Sequence, residues 1–177
     1  MLMKMIGDLH IHSRFSMATS KEGTPENLDF WARKKGISLI GTGDFTHPVW
    51  REELRERLAS EGNGLYRLKD EYVKEESRKF SGEGAHFVVS GEISSIYKKN
   101  GKTRKVHNVI LLPGLEAADA MAQRLEKIGN IHSDGRPILG LDSHDLLEMM
   151  LDVCPEGILI PGHRISPYWA QNQDLIL

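Results

Sequence analysis

Each short apolar run in this chain borders a side chain able to bind a metal ion or a proton. Asp8, His10 and His12 close the N-terminal run. Asp44 and His47 follow Ile37-Ser38-Leu39-Ile40-Gly41-Thr42, Glu92 follows Phe87-Val88-Val89-Ser90-Gly91, and His163 follows Ile158-Leu159-Ile160-Pro161-Gly162. His107 precedes Val109-Ile110-Leu111-Leu112 and enters from the opposite direction. Ligands of α/β sheets and barrels gather at the carboxyl ends of strands, so the pattern predicts one shared site. In a strand, residues i and i+2 project from the same face, which lets His10 and His12 hold one ion, with Asp8 as a third ligand or orienting group. An isolated His-x-His is as compatible with two surface histidines on an edge strand. Recurrence of imidazoles and carboxylates downstream decides for a metal, and the mixed donor set suits zinc, manganese or iron.

The intervening sequence alternates in the manner of an α/β protein. Met3 to Asp8 reads as a strand, and Thr24-Pro25-Glu26 opens a helix that ends at Gly36. Ile37 to Thr42 reads as a second strand, followed by a helix from about Val49 to Ala59. A strand from His86 passes through Glu92 to Lys99 and pairs across Asn100-Gly101 with Thr103 to Leu112. Leu115 to Ile128 has helical periodicity, Pro137 to Leu141 forms a short element, Ser143 caps a helix over His144 to Val153, and Gly157 to Pro161 is a last strand. A largely parallel sheet or barrel in one domain follows.

Composition narrows the functions. The 177 residues, 40% hydrophobic and 27% charged, fit one globular domain. No apolar stretch approaches the ~18 residues that span a bilayer, and the N-terminus lacks a signal core, so a cytoplasmic protein without a membrane partner is expected. The single cysteine, Cys154, excludes an intrachain disulfide and a cysteine-rich zinc ribbon, and reads as a small core residue. A formal charge of −2 does not describe a general nucleic-acid binder. Lys98, Lys99, Lys102, Arg104 and Lys105 form the one dense basic cluster, at the Asn100-Gly101 turn. A solvated hairpin tip is the simpler reading of it, and phosphate contact by Lys102 and Arg104 the functional one. Arg14, directly after the histidine motif, suits either a phosphate oxygen or a structural salt bridge.

Asp8-Leu9-His10-Ile11-His12-Ser13, the Thr42-Gly43-Asp44 loop, Ser90-Gly91-Glu92 and His107-Asn108-Val109-Ile110-Leu111 resemble, in order, motifs of the PHP (polymerase and histidinol phosphatase) superfamily of metal-dependent phosphoesterases. Residues 12–21, Gly41 to Pro48 and Asp134 to Asp142 are similar to the endonuclease Q family. The resemblance implies a distorted (β/α)7 barrel, incomplete at its C-terminal end, with residues 1–177 as a single PHP-like domain. It implies a DNA-repair enzyme that nicks 5′ of deaminated bases or abasic sites, with damaged DNA as substrate and two or three zinc or manganese ions. His10, His12 and Glu92 are the implied ligands of one ion, with His107 and His163 serving neighbouring ions. Asp44 occupies the second-motif position where many relatives have Asp-His. Phe45 follows it here, so His47 is the implied substitute.

The expected chemistry is metal-assisted phosphodiester hydrolysis, with Asp44 in the site and Arg14 neutralising a non-bridging oxygen. The superfamily's late Asp-x-His motif is not found after His163, and the expectation is an N-terminal fragment or a shortened relative. A small-molecule phosphatase similar to histidinol phosphatase, or a catalytically silent metal-binding module completed by a missing segment or partner chain, are the alternatives, and self-association stays open. His86, His132, His144, Asp142 and Asp145 read as strand-entry, loop, capping or surface residues. Tyr168 and Trp169 suit base stacking or a core role.

Overall fold

The computed structural model describes residues 5–80 and 83–164, with the backbone alone for 163–164. Its elements are β1 (Gly7–Asp8), α1 (Pro25–Lys35), β2 (Leu39–Gly41), α2 (Pro48–Arg57), β3 (Leu58–Gly62), β4 (Leu65–Leu68), β5 (His86–Lys99), β6 (Lys102–Leu112), α3 (Leu115–Glu126), β7 (Ile138–Leu139), α4 (Ser143–Val153) and β8 (Ile158–Arg164).

Helix α1 has the ends its sequence predicts. The Thr24 side chain accepts from Asn27 N, Pro25 starts the first turn, and Gly36 stops the helix at φ 70°. Helix α2 departs from expectation by ending at Arg57, after which the chain runs directly into the β3–β4 hairpin. The hairpin turns at Asn63 and Gly64, both with positive φ, and Leu58 and Leu68 pair across it and are buried. Burial of Leu58 and Leu68 outweighs the helix-forming Glu and Arg residues that made α2 look two residues longer. Helix α4 is capped by Asp142, whose carboxylate accepts from His144 N at 3.0 Å, and not by Ser143. The Asn100-Gly101 turn forms as its sequence predicts, at φ 53° and 71°.

The fourteen-residue β5 organises the sheet. Its first half lies between β2, parallel, and β4, antiparallel; its second half lies between β6, antiparallel, and β7, parallel. Strand β1 joins β2 in parallel, and β8 joins β6 antiparallel. The result is a mixed eight-stranded sheet curled into a half-barrel, in place of the expected largely parallel one. The core fills the curl with Phe45, Trp50, Leu54, Phe87, Ile93, Ile110, Met121 and Leu125. Cys154 is free and buried there, and burial raises its thiol pKa. No helix among the described residues is long and apolar enough to cross a membrane.

Candidate metal centre

Three approaches converge on Glu92, which lies near the middle of β5 and is 2% exposed. The first is the segment after β1. Regular pairing ends at Asp8, so His10 and His12 stand on an irregular extension and not on the strand itself, and Asp8 is exposed. Both imidazoles still reach the same carboxylate oxygen: His10 Nε2 is 3.2 Å and His12 Nε2 3.0 Å from Glu92 Oε2. The second approach is β6. Glu92 pairs with Val109 and Ser94 with His107, so His107 is a same-face diagonal neighbour of Glu92. Its Nδ1 contacts Glu92 Oε1.

The third approach is the loop after β2. Gly43 N donates to Ser90 Oγ at 3.0 Å, Trp50 Nε1 donates to Gly43 O at 2.9 Å, and Phe45 N donates to Ser90 O at 3.1 Å. This bracing holds Asp44 at φ 52°, a conformation aspartate tolerates better than most residues. Its buried carboxylate accepts from Ser13 N (2.7 Å), Ser13 Oγ (2.6 Å) and His12 Nδ1 (3.0 Å). A Cβ at Gly135 would lie 2.3 Å from Asp44 Cγ, so glycine is what lets the 130s loop close over this carboxylate.

The electrostatics follow from the crowding. Hydrogen bonds to Asp44 and Glu92 outweigh burial and raise the His12 pKa from 6.5 to about 9. Burial alone would raise Glu92, but hydrogen bonds from His12 and His10 and the charge of His107 bring it from 4.5 down to about 2. His12 is therefore held as the cation beside the ionised Glu92. One ring nitrogen of His10, one of His12 and a Glu92 oxygen all lie within 4.8 Å of one another. Donors each about 2.1 Å from a tetrahedral ion stand roughly 3.4 Å apart, so the set fits a divalent ion.

The other candidate residues are placed as follows. Asp44 meets His12 through the ring nitrogen facing away from Glu92, the position of an orienting carboxylate. His47 is buried, stacks on Phe15 at 4.2 Å and precedes α2; burial lowers its pKa, and it does not join the His10–His12–Glu92 group. Arg14 donates to Glu53 Oε2 at 2.7 Å and forms a salt bridge with it. Lys102 is exposed and Arg104 half-buried at the far end of the hairpin. The side chain of His163, and all of Tyr168 and Trp169, lie outside the described residues. Sequence reasoning passes over Arg136, whose Nη1 lies 3.9 Å from Glu92 Oε2. It belongs to the Asp134 to Asp142 segment that carries the endonuclease Q resemblance, and that was the available signal. His86 pairs with Glu61 and His132 with Glu126, while His144 faces Asp145 and Glu148 on the exposed side of α4.

A curled mixed sheet with a histidine and carboxylate cluster at its centre makes the chain a mixed α/β protein with a candidate metal centre. Its fold matches the lesion-specific endonuclease PfuEndoQ of Pyrococcus furiosus at a TM-score of 0.69 and 28% identity, over 88% of this chain and 33% of that one. It matches endonuclease Q in complex with a 27-mer duplex bearing an abasic lesion at the active site equally well, over 92% of this chain and 35% of the other. In sequence it is 33% identical over 161 residues to an uncharacterized protein of Methanocaldococcus jannaschii, covering 90% of this chain and 16% of the relative. The chain therefore spans about a third of these structures and about a sixth of that relative. No protein-family model matches it.

Proposed function

We propose that residues 1–177 are a PHP-like phosphodiesterase domain, part of a distorted (β/α)7 barrel, that acts in the cytoplasm on damaged DNA and nicks 5′ of deaminated bases or abasic sites. The observation that carries the reading is the His10–His12–Glu92 donor set in a chain 28% identical in sequence and similar in fold to a lesion-specific endonuclease.

In this reading His10 Nε2, His12 Nε2 and Glu92 Oε2 hold one zinc or manganese ion. Glu92 Oε1, facing His107, lets the carboxylate serve a second set of donors, to which His163 is assigned. Asp44 fixes the His12 ring from its Nδ1 side, and the Ser13 N–H and hydroxyl fix Asp44 in turn. A bound ion supplies Lewis acidity and brings the pKa of a coordinated water from 15.7 towards ~7. Burial of Glu92 and Asp44 keeps competing water from the donors' inner side. Lys102 and Arg104 contact the DNA backbone at a distance from the cleaved bond.

Incision of uracil-, hypoxanthine- and abasic-site duplexes with added manganese, beside turnover of a free phosphomonoester, tests the proposal. Manganese-dependent nicking of lesion DNA that disappears in His10→Ala and Glu92→Ala supports it. Exclusive turnover of the phosphomonoester gives the site to a small-molecule phosphatase, and metal binding without either activity gives it to a silent module.

A further inference from the structure

We propose that Arg136 is the phosphate-binding residue of this site, its guanidinium taking the non-bridging oxygens of a phosphate group presented to the His10–His12–Glu92 cluster. The inference rests on the reading of that cluster as a phosphoester site and assigns the anion-binding role to a residue that the sequence pattern passes over.

Three observations carry it. The first is position. Arg136 Nη1 stands 3.9 Å from Glu92 Oε2, the oxygen that both imidazoles face, so the guanidinium borders the donor set itself. The second is availability. A separation of 3.9 Å lies within ion-pair reach and beyond hydrogen-bond length, and among the described residues the guanidinium makes no other hydrogen bond or ion pair. Its side chain is 37% exposed, so a ligand can reach its N–H groups. The other arginines near the loop are committed elsewhere. Arg14 donates to Glu53, and Arg51 donates to Phe45 O, Thr46 O and Asp119.

The third observation is how firmly the backbone is held. Arg136 N donates to Asp134 Oδ1 at 3.0 Å, Gly135 N to Phe15 O at 3.0 Å, and Thr46 Oγ1 to Gly135 O at 3.0 Å. On the other side Ser94 N donates to Pro137 O at 3.0 Å, where β7 begins to pair with β5. Arg136 therefore hangs from a loop tied both to the histidine segment and to the strand bearing Glu92. A planar fork of donors at a fixed height beside an ion matches two oxygens of one phosphate, which a lysine presents only as a point charge. Neutralising Glu92 with an ion removes the pull that now holds the guanidinium, and frees it to turn to an incoming anion.

The experiment is calorimetric titration of the 177-residue chain with manganese alone, and with inorganic phosphate in manganese and in chelator, for the unaltered protein, Arg136→Ala, Arg136→Lys and Arg14→Ala. The expected result is at least a tenfold loss of phosphate affinity in Arg136→Ala, an intermediate loss in Arg136→Lys, and a change below twofold in Arg14→Ala, all with manganese affinity and melting temperature held. Phosphate affinity unchanged in Arg136→Ala overturns the proposal. So does no phosphate binding by the unaltered chain in either condition, or a parallel loss of manganese affinity, which makes Arg136 structural. Absence of manganese binding by the unaltered chain defeats the metal reading instead, and the chelator titrations still compare Arg136→Ala with the unaltered chain.

Discussion

His12 sits between two carboxylates, with Asp44 on one ring nitrogen and Glu92 on the other, and this makes the ion-free site pH-sensitive in a definite direction. His12 is held near 9 against 6.5 when unfolded, so its pairing stabilises the fold fully below 6.5 and is lost as pH rises through about 9. Glu92, held near 2 against 4.5, stabilises above 4.5, and that contribution is lost as pH falls through about 2. Both contributions are complete between 4.5 and 6.5. In chelator, the melting temperature is expected to fall as pH rises from 6.5 to 9, and His12→Gln to flatten that limb relative to the unaltered chain. Equal alkaline slopes for the two proteins would remove the paired charge from the account. At this scale much of the cluster is legible: i and i+2 spacing brings His10 and His12 to one side even without a regular strand, and Ser90-Gly91-Glu92 marks the carboxylate they meet. Arg14 and Arg136 are not separable from sequence. Arg14 adjoins the motif but is drawn to a buried glutamate on α2, while Arg136 is 44 residues past Glu92 and arrives only through the pairing of β7 with β5.

The elements show where local signals suffice and where they do not. Thr24-Pro25 and Gly36 mark α1 because caps are satisfied within a few residues. The β3–β4 hairpin is hidden because Leu58 and Ala59 continue the Glu- and Arg-rich α2 sequence with good helix formers, and only the tertiary burial of Leu58, Tyr66 and Leu68 selects strand. Strand β5 reads correctly as one run into the hairpin, yet its exchange of partners halfway, from β2 and β4 to β6 and β7, has no local signature. Helix α4 illustrates a cap whose identity depends on one residue of register. Asp142 accepts from His144 N and is also 3.1 Å from Lys99 Nζ, which ties the helix start to the hairpin. Burial would raise its carboxyl, but the His144 amide and Lys99 win and lower it. Asp142→Ala is expected to cost about 1 kcal/mol, the usual worth of an N-cap, whereas Ser143→Ala costs less. Urea denaturation of both variants decides the order, and a larger loss for Ser143→Ala would restore the serine as the cap.

Across the whole molecule the chemistry and the surface charge are separated along one strand pair. The chain's net charge is −2, so there is no broad positive field to draw in a polyanion, and attraction must come from local cations. Glu92 lies five residues before Tyr97, the partner of Arg104, and seven before Lys99, the partner of Lys102. At about 3.3 Å per residue the two cations stand roughly 16 and 23 Å from the cluster along β5. A nucleic-acid strand rises about 3.4 Å per nucleotide, so a backbone anchored at the cluster passes the hairpin tip some five to seven nucleotides away. On the proposed function, contacts at that distance would hold the duplex and leave the reacting phosphate alone. Lys102→Glu with Arg104→Glu is therefore expected to weaken DNA binding by tenfold or more at low salt, and to reduce the slope of log affinity against log salt by about one unit per lost phosphate contact. Manganese affinity should remain within twofold of the unaltered chain, because neither residue reaches Glu92. Fluorescence anisotropy on a labelled duplex long enough to span both places, repeated from 50 to 200 mM salt, measures the slope. A salt slope unchanged by the double substitution would make the hairpin tip a solvated turn and nothing more.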